Sequence, residues 1–364
     1  MSVPVSPVEI CVFAGDGIGP EIMTPTLEVL ELARANAAGP TLNITEHPAG
    51  AGHYAATGEA LPEASVAAAK AADAVLLSAM GLPGIRKPDG TEITPQIELR
   101  FRLGLYAGVR PVKVFPGQKT LLADPRAESI DFVLIRESTE GLFAHMNEGV
   151  VSDSDATETL RITRATSEKV FDFALHLART RAKQRGRPAR VTCVDKANVF
   201  RAFWFFRQIF EERAAAFPDI ATDAAYVDAM AMWMVQRPWE FDVMVTENMF
   251  GDILSDLGAA LLGSLGLAPS ADIGDAAAVF QPCHGSAPDI AGQGIAKPLA
   301  MILSAGMMCD WLAERRQDPR LGRMAKAIET AVASVLAEGR VLTADLGGSA
   351  STGAVAAAVR DRLG

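Results

Sequence analysis

The feature that most constrains the fold of this sequence is a regular alternation of short β-rich runs with longer helical patterns. Apolar runs bounded by polar residues predict buried strands at residues 8–14, 74–78, 132–136, 191–194 and 243–246. Patterns of helical length follow at residues 20–37, 166–184, 200–216 and 252–262. This alternation predicts an α/β fold with a largely parallel or mixed sheet.

Length and composition limit the architecture and the class of partner. The 364 residues exceed the roughly 250–300 at which one core stops growing, so about two domains are expected. The 34 Lys and Arg residues against 44 Asp and Glu give a net charge of −10, without a block of like charges. That balance argues against nucleic acid or an anionic membrane as a partner, because phosphate binding needs clustered basic residues.

Cysteine spacing and the N-terminus indicate a compartment. The four cysteines are widely spread without a CxxC pair, which favours free thiols in a reducing compartment over a zinc site or disulfides. The N-terminus lacks the basic and apolar pattern of a signal peptide, and no apolar stretch reaches the roughly 20 residues of a spanning helix. We therefore expect a soluble, cytoplasmic protein.

A glycine-rich segment, AGDGIGPE at residues 14–21, follows the first predicted strand and opens the first helix. Its spacing is G-x-G-x-G followed by Pro20, whereas the dinucleotide fingerprint is G-x-G-x-x-G with a downstream acid. On its own, the segment predicts a tight strand-to-helix turn.

Two aspartates indicate a metal site. Asp252 and Asp256 are four residues apart, so a helix places both on one face. With a third carboxylate they would suit Mg²⁺ or Mn²⁺, and Asp228 is the best third donor because it ends a strand before a helix. The alternative is that all three are solvated charges and that Asp228 is a helix N-cap. The residues alone leave both interpretations open.

Basic residues at strand ends indicate an anion site. Arg100, Arg110 and Arg136 could hold a carboxylate through bidentate hydrogen bonds. Lys196 follows a predicted strand and, if partly desolvated, could act as a base. For each residue alone, the alternative is a surface salt bridge.

The segment at residues 281–290, QPCHGSAPDI, has the composition of a loop that lets a ligand approach the backbone. Asp289 could accept hydrogen bonds from a ribose diol and would repel a 2′-phosphate, whereas an isolated His284 is more often structural. The residues thus predict a metal-plus-anion site with a nucleotide loop.

The motifs together resemble the β-decarboxylating dehydrogenases, the family of isopropylmalate, isocitrate, homoisocitrate and tartrate/D-malate dehydrogenases. They are, in order from about residue 8 to residue 357, GDGIGPE, LYAGVRPVKVFPG, VDKANV, YVDAMAM, VTENMFGDILSDL, PSADIG, HGSAPDIAG and DLGGSAST. The resemblance implies an isopropylmalate/isocitrate dehydrogenase-like two-domain α/β fold with a mixed sheet, not a Rossmann fold. Residues 1–106 plus 263–364 would form the cofactor-binding domain. Residues 107–262 would form the dimerisation and substrate/metal domain, with an intersubunit arm near 147–162.

The resemblance also implies roles for individual residues. Arg100, Arg110 and Arg136 match the arginines that grip the carboxylate lost as CO₂, and Asp228, Asp252 and Asp256 match the metal ligands. Lys196, which helps to remove the 2-hydroxyl proton, and Asp228 would come from the other subunit of a homodimer with shared active sites. Asn198 would lie by the nicotinamide. The adenosine half of the cofactor would contact His284, Gly285, Ser286, Ala287, Pro288 and Asp289.

The expected activity is NAD-dependent oxidative decarboxylation of a small hydroxy-dicarboxylate, a 3-substituted D-malate. NAD is expected because NADP-using relatives carry Lys-Tyr where this chain has Asp289-Ile290, although Lys297 replaces an asparagine usual near the adenine. Thr94 and Gln96 lie where family members read the C3 substituent, and this polar pair suits malate or tartrate at least as well as isopropylmalate.

One position departs from the family pattern. Phe143 stands where the family usually has the tyrosine that protonates the enolate, and the chain's tyrosines lie elsewhere. Two alternatives follow, an oxidation-only dehydrogenase and a non-catalytic regulatory subunit of an active homologue. Water, Lys196 or His145 could instead replace the missing donor.

Overall fold

The structure is a computed structural model that describes residues 6–363 of the chain. Its strands are β1 Val8–Phe13, β2 Leu42–Glu46, β3 Ala74–Leu77, β4 Ala107–Lys113, β5 Asp131–Glu137, β6 Val150–Val151, β7 Ala156–Thr157, β8 Arg190–Asp195, β9 Ala221–Tyr226, β10 Val243–Thr246, β11 Pro269–Ile273 and β12 Ala278–Pro282. Its α-helices are α1 Gly19–Asn36, α2 Ala51–Thr57, α3 Glu63–Ala71, α4 Pro95–Leu103, α5 Arg164–Arg185, α6 Arg201–Ala214, α7 Val227–Gln236, α8 Asn248–Leu261, α9 Leu299–Arg316, α10 Pro319–Glu338 and α11 Thr352–Arg360.

Ten strands form one sheet in the order β2-β1-β3-β12-β11-β4-β5-β10-β8-β9. Most neighbouring strands are parallel, but β11 is antiparallel to both β12 and β4, and β4 is antiparallel to β5. The two halves of the sheet therefore run in opposite directions and meet at β11 and β4. The prediction of an α/β fold with a mixed sheet is confirmed.

The predicted elements agree closely with the observed ones, because buried strands and amphipathic helices leave their period in the sequence. Strand β10 spans the predicted residues 243–246. Helix α8 begins at Asn248, earlier than the predicted residue 252. The Glu247 carboxylate caps it by accepting hydrogen bonds from the backbone N–H groups of Phe250 at 2.7 Å and Met249 at 3.1 Å.

The glycine-rich segment after β1 is a tight turn, as predicted from its spacing. Gly17 has a φ of +58°, and a Cβ there would lie 2.0 Å from the Ser286 carbonyl oxygen. Asp16 accepts hydrogen bonds of 2.8 Å from three backbone N–H groups, those of Ala51, Gly52 and Gly81. The turn consequently packs against the loop at residues 281–290, and the Ile18 N–H donates to the Ser286 carbonyl oxygen at 2.8 Å.

The centre of the sheet has a different environment on each face, because successive residues of a strand point to opposite sides. Val109 and Pro111 of β4 line a groove of about 580 Å³ that α5, α9 and α10 border. Arg110, between them, lines a separate cavity on the other face.

Residues 147–162 contain a hairpin in which β6 and β7 form a separate two-stranded antiparallel sheet. Each segment predicted as a domain contributes five adjacent strands to the large sheet, and the predicted boundary falls between β11 and β4. The division into domains and the intersubunit role of the hairpin stay predictions.

The cysteines and the longest helices were also considered in the sequence. Cys11, Cys193, Cys283 and Cys309 have free thiols, as their spacing predicted. Across residues 6–363, no helix combines the length and the apolar character needed to cross a membrane.

Candidate active site

A cavity of about 230 Å³ lies over the centre of the sheet, between α4, α8 and the loop after β12. Its lining includes these residues singled out from the sequence: Gln96, Arg100, Arg110, Arg136, Asp252, Asp256, His284 and Gly285. It also includes residues to which the sequence analysis gave no binding role, among them Ser78, Ser255, Gln281 and Cys283. Residues from distant parts of the chain are thus brought together in one place.

The three predicted arginines are buried at this cavity instead of forming surface salt bridges. Arg100, Arg110 and Arg136 are each no more than 6% exposed. Arg110 donates hydrogen bonds from Nη1 to the carbonyl oxygens of Ala271 at 2.9 Å and Val109 at 3.2 Å, which fixes its guanidinium. Three buried cations at one cavity are typical of an anion site.

Asp272 on β11 is the buried carboxylate that sequence reasoning missed. Its Oδ1 accepts from Arg110 Nη2 at 3.0 Å and its Oδ2 from Arg100 Nη2 at 3.2 Å. Burial alone would raise the pKa of Asp272, but the charges of Arg100, Arg110 and Arg136 outweigh burial and lower it to about 2. The only signal in the sequence is an aspartate between the apolar residues Ala271 and Ile273 of a strand, which predicts a buried ion pair but does not identify its partners.

Arg136 connects the arginines to helix α8. Its Nε donates to Asn248 Oδ1 at 2.9 Å, and its Nη1 forms an ion pair with Asp252. Gly251 permits this packing, since a Cβ there would lie 2.6 Å from Arg136 Cγ. Burial, reinforced by the neighbouring charge of Arg100, lowers the pKa of Arg136 to about 10.

Asp252 and Asp256 both line the cavity from one face of α8, as their spacing predicted. The Asp252 side chain is 53% exposed, which leaves oxygen atoms available to a ligand. Burial and the nearby charge of Asp252 raise the pKa of Asp256. Two carboxylates held this close repel each other, and a bound cation would relieve the repulsion.

Lys196 and Asp228 lie away from this cavity and pair with each other, with 2.5 Å between Lys196 Nζ and Asp228 Oδ1. The hydrogen bond from Lys196 lowers the pKa of Asp228. In the part of the chain that the structure describes, no three His, Cys, Asp or Glu side chains are grouped as metal ligands. A single chain does not bring Asp228 to Asp252 and Asp256. Within one subunit, the third ligand expected from the residues is therefore missing.

Four polar atoms at the cavity have no hydrogen-bond partner although they are buried. They are Ser78 Oγ, Gln96 Oε1, Arg100 Nε and His284 Nε2. Leaving such atoms unpaired costs roughly 1–3 kcal/mol each, so their concentration at one cavity indicates a polar ligand. Thr94 is not among the cavity-lining residues and lies at the N-terminus of α4. Of the two predicted C3-substituent residues, the structure therefore places only Gln96 at the cavity.

The loop after β12 is held in an unusual conformation. Ser286 Oγ donates to the Gly81 carbonyl oxygen, and Ala287 has a φ of +38°, which L residues rarely adopt. Gly285, Pro288 and Asp289 are exposed, as a loop open to a ligand requires. Strain at an exposed loop beside a polar cavity is typical of a binding segment.

Two other predicted cofactor residues differ in exposure. Asn198 is exposed in the turn after β8. Lys297 is 6% exposed, and its Nζ donates to Ser264 Oγ at 2.8 Å and forms an ion pair of 2.5 Å with Asp345. Burial lowers the pKa of Lys297 although the pairing with Asp345 opposes that effect. In this arrangement Lys297 is engaged with protein groups.

The geometry agrees with what comparisons with known proteins find. A family model described as isocitrate/isopropylmalate dehydrogenase matches residues 9–359. The chain is 42% identical over 356 residues to the 3-isopropylmalate/3-methylmalate dehydrogenase of Methanocaldococcus jannaschii, with 98% of each protein covered. It is 43% identical over 352 residues to a 3-isopropylmalate dehydrogenase of Listeria monocytogenes, covering 94% of this chain and 95% of that protein.

Solved structures give the same result. The isocitrate dehydrogenase of Methylococcus capsulatus has a TM-score of 0.84 and 36% identity, with 98% of this chain and 99% of that chain covered. A beta-decarboxylating dehydrogenase of Thermococcus kodakarensis has a TM-score of 0.76 and 34% identity, with 98% and 96% covered.

Proposed function

The chain belongs to the isocitrate/isopropylmalate dehydrogenase family, and we propose that it is an NAD-dependent and Mg²⁺- or Mn²⁺-dependent oxidative decarboxylase. Its substrate would be a 3-substituted D-malate-type 2-hydroxy acid. The observation that carries the proposal is that three buried arginines and two aspartates of one helix line the same cavity. The arginines would hold the carboxylate that leaves as CO₂.

The residues present fit a divalent metal ion. Asp252 and Asp256 offer only oxygen donors, which Mg²⁺ and Mn²⁺ prefer, and they leave coordination positions for a substrate. When bound, the metal would stabilise negative charge on the 2-oxygen and on the keto group. Asp228 would complete the set from a second subunit, since it is 67% exposed and lies away from the cavity of its own chain.

The residues also fit a dinucleotide. His284 Nε2 is buried without a partner, and a Cβ at Gly285 would meet nothing within 4 Å, so the loop is open to a ligand. The exposed Asp289 carboxylate would accept from a ribose diol and repel a 2′-phosphate, which favours NAD over NADP. Asn198 would lie by the nicotinamide, which accepts the hydride when bound, and Lys297 would lie near the adenine.

Lys196 would accept the proton of the 2-hydroxyl group once its ammonium has released its own proton to solvent, because only the neutral amine is a base. Its Nζ already donates to Asp228 Oδ1, so the pair is oriented before substrate arrives. Arg100 Nε, unpartnered within the protein, is free to donate to the substrate carboxylate. These contacts would align the hydroxyl, the hydride and the leaving carboxylate.

The C3 substituent would lie near Gln96 and Ser78. Both line the cavity and both have an unpartnered polar atom, although Ile97 beside them contributes apolar surface. A hydroxyl or hydrogen at C3, as in tartrate or D-malate, fits this mixture at least as well as an isopropyl group. Thr94, at the N-terminus of α4 and two residues before Gln96, would be the second residue near this substituent.

The shared site requires a homodimer. Large apolar side chains are exposed on α7 and α8, the helices that carry the three metal-ligand candidates: Met232, Val235, Met249 and Ile253. Exposed apolar groups on adjacent helices are typical of a subunit interface. The free thiols fit the cytoplasmic location that forms part of this proposal.

Phe143 supports a second candidate function, oxidation without completed decarboxylation. The phenylalanine lines the cavity and has no proton to give to an enolate. His145 is paired with Glu148, with 2.6 Å between Nδ1 and Oε2, and it does not line the cavity. A regulatory subunit is the third alternative, and the retained Lys196, aspartates and arginines argue against it.

One experiment separates these functions. Purified protein with Mn²⁺ and either NAD or NADP would be mixed with isopropylmalate, D-malate, tartrate, isocitrate or homoisocitrate, and reduced cofactor and CO₂ would be followed together. Equal amounts from one acid with NAD are expected. Reduced cofactor without CO₂ would mean oxidation only, and silence with every acid would contradict the proposal.

A further inference from the structure

Asp272 occupies a position that the proposed mechanism does not use. It is 2% exposed on β11, where it faces Gly108 of β4 in the antiparallel register. A Cβ at Gly108 would come within 3.1 Å of Asp272 Oδ1, so this glycine leaves room for the carboxylate. The aspartate therefore fills a site built for it at the junction of the two halves of the sheet.

Asp272 connects two of the arginines that would bind substrate. Its Oδ1 accepts a hydrogen bond from Arg110 Nη2 at 3.0 Å. Its Oδ2 accepts two hydrogen bonds, from Arg100 Nη2 at 3.2 Å and from the side-chain amide nitrogen of Gln281 at 2.7 Å. Because Arg110 also donates to backbone carbonyl oxygens, most of its donors are used within the protein. Arg100 keeps Nε free of a protein partner. Asp272 thus decides which donors remain for a substrate.

Asp272 also sets the charge of the site. Around the cavity, three guanidinium groups meet three carboxylates, those of Asp252, Asp256 and Asp272. His284 adds no charge at neutral pH because burial lowers its pKa. Before a substrate binds, the charges of the paired Lys196 and Asp228, from whichever subunit, cancel each other.

The formal charges of these side chains around the cavity therefore sum to zero. A bound divalent cation would give the site a net charge of +2. A substrate with two carboxylates would neutralise that charge, whereas a third carboxylate would make the net charge negative. A buried uncompensated charge is strongly disfavoured.

We propose that Asp272 is a specificity-determining and positioning residue that restricts the substrate to dicarboxylates with an uncharged C3 substituent. It acts by neutralising one guanidinium charge and by holding Arg100 and Arg110 in place. This inference rests on the proposed function, since it assumes that the arginines face a hydroxy-acid substrate. Without Asp272 the site would have one further positive charge, and a tricarboxylate would be accepted.

The first measurement is binding to the wild-type protein. Isothermal titration calorimetry with Mg²⁺ would compare isopropylmalate and tartrate with isocitrate, a tricarboxylate of the same backbone. We expect the better dicarboxylate to bind roughly tenfold or more tightly than isocitrate, because like-charge contacts suppress wrong partners. Tighter binding of isocitrate would overturn the inference, whatever any variant does.

The second measurement uses D272N. The ratio of dicarboxylate to isocitrate affinity is expected to fall by roughly tenfold or more, and the ratio of KM values should follow it. The double variant D272N/Q281E returns the negative charge to the adjacent side chain and should restore the wild-type ratio. A ratio unchanged in D272N would overturn the inference.

Asp242 provides a matched control. It also pairs with two arginines, Arg181 at 2.9 Å and Arg185 at 2.6 Å, and it lies away from the cavity. D242N should leave the affinity ratio unchanged, which separates substrate selection from the loss of an ion pair. If no acid is turned over but D272N still changes the binding ratio, only the proposed function fails. If an acid is turned over but D272N has the same ratio of dicarboxylate to isocitrate affinity as the wild type, only this inference fails.

Discussion

The ring of Phe143 lies over the guanidinium group of Arg136, with 5.2 Å between the ring centroid and the guanidinium carbon. Such a contact stabilises a cation whose own solvation has been lost to burial. The aromatic ring at this position therefore packs on the buried Arg136, and it carries no hydroxyl proton.

Adding that hydroxyl group should accelerate protonation of the enolate. F143Y is expected to raise the rate of appearance of the decarboxylated, protonated product roughly tenfold or more, because general acids contribute at least that much. The rate of the first NADH turnover should not change, since oxidation precedes protonation. Rapid-quench analysis of product against NADH measures both rates.

A matched control for F143Y is F205Y. The ring of Phe205 also lies by an arginine, 5.6 Å from the guanidinium carbon of Arg164, but it does not line the cavity. F205Y should leave both rates unchanged. If F143Y leaves product formation unchanged too, another proton donor already serves the reaction.

Replacing Arg100 by lysine should weaken substrate binding. R100K removes Nε, the buried donor without a protein partner, and the contact of Nη2 with Asp272. We expect kcat/KM to fall about thirtyfold, equivalent to roughly 2 kcal/mol and mostly through KM, because lysine cannot reproduce the guanidinium geometry. Steady-state kinetics on the best acid of the panel measure this loss.

R102K is the control for R100K on the same helix. Arg102 forms an ion pair of 2.6 Å with the exposed Glu63 and does not reach the cavity. Its replacement should leave KM within about twofold, since exposed ion pairs contribute little. Equal losses in R100K and R102K would contradict a role for the first in substrate binding.

The contact of α8 with Arg136 predicts a cost at Gly251. G251A would place a Cβ 2.6 Å from Arg136 Cγ, so the helix or the arginine must shift. The free energy of unfolding should fall by about 1–3 kcal/mol despite the better helix propensity of alanine, and KM should rise. Urea unfolding followed by circular dichroism, together with kinetics, checks both effects.

Gly353 of α11 supplies the opposite case. A Cβ there would meet nothing within 4 Å, so G353A should stabilise the protein by about 0.5–1 kcal/mol. A stabilising G251A would show that Arg136 moves without cost.

Glu137 predicts a pH dependence of stability. Burial raises its pKa from 4.5 to about 7, although hydrogen bonds from Thr139 and the backbone of Glu140 oppose the shift. The folded protein therefore keeps a proton that the unfolded chain releases above about pH 4.5. This contribution to the free energy of unfolding is complete below that pH and is lost as pH rises through about 7.

E137Q should remove this dependence of the free energy of unfolding on pH. Urea unfolding at pH 4.5, 6 and 7.5 is expected to show a difference between wild type and E137Q that changes by roughly 2–3 kcal/mol across the range. E128Q, at an exposed glutamate in the turn before β5, should give the same pH dependence of the free energy of unfolding as the wild type. If the free energy of unfolding depended on pH equally in E137Q and in the wild type, Glu137 would be ionised in the folded protein.

The local features of this protein could be predicted from its sequence. Strand β10 and the turn at residues 14–18 were identified by hydrophobic pattern and glycine spacing. Asp252 and Asp256 were placed on one face of a helix because residues four apart lie one turn away from each other. The family resemblance, carried by ordered motifs, gave the fold class correctly.

The tertiary structure decided which residues meet. Asp272 lies 172 residues from Arg100 along the chain and 162 from Arg110, and no periodicity relates them. They come together because β11 is inserted between β12 and β4, which puts its polar side chain on the same face as Arg110. The same long-range packing left Asp228 apart from Asp252 and Asp256. Hydrophobic periodicity predicts the secondary structure and burial of each residue, because these depend on neighbours along the chain. The charge and shape of the site depend on the order of the strands, which long-range packing determines.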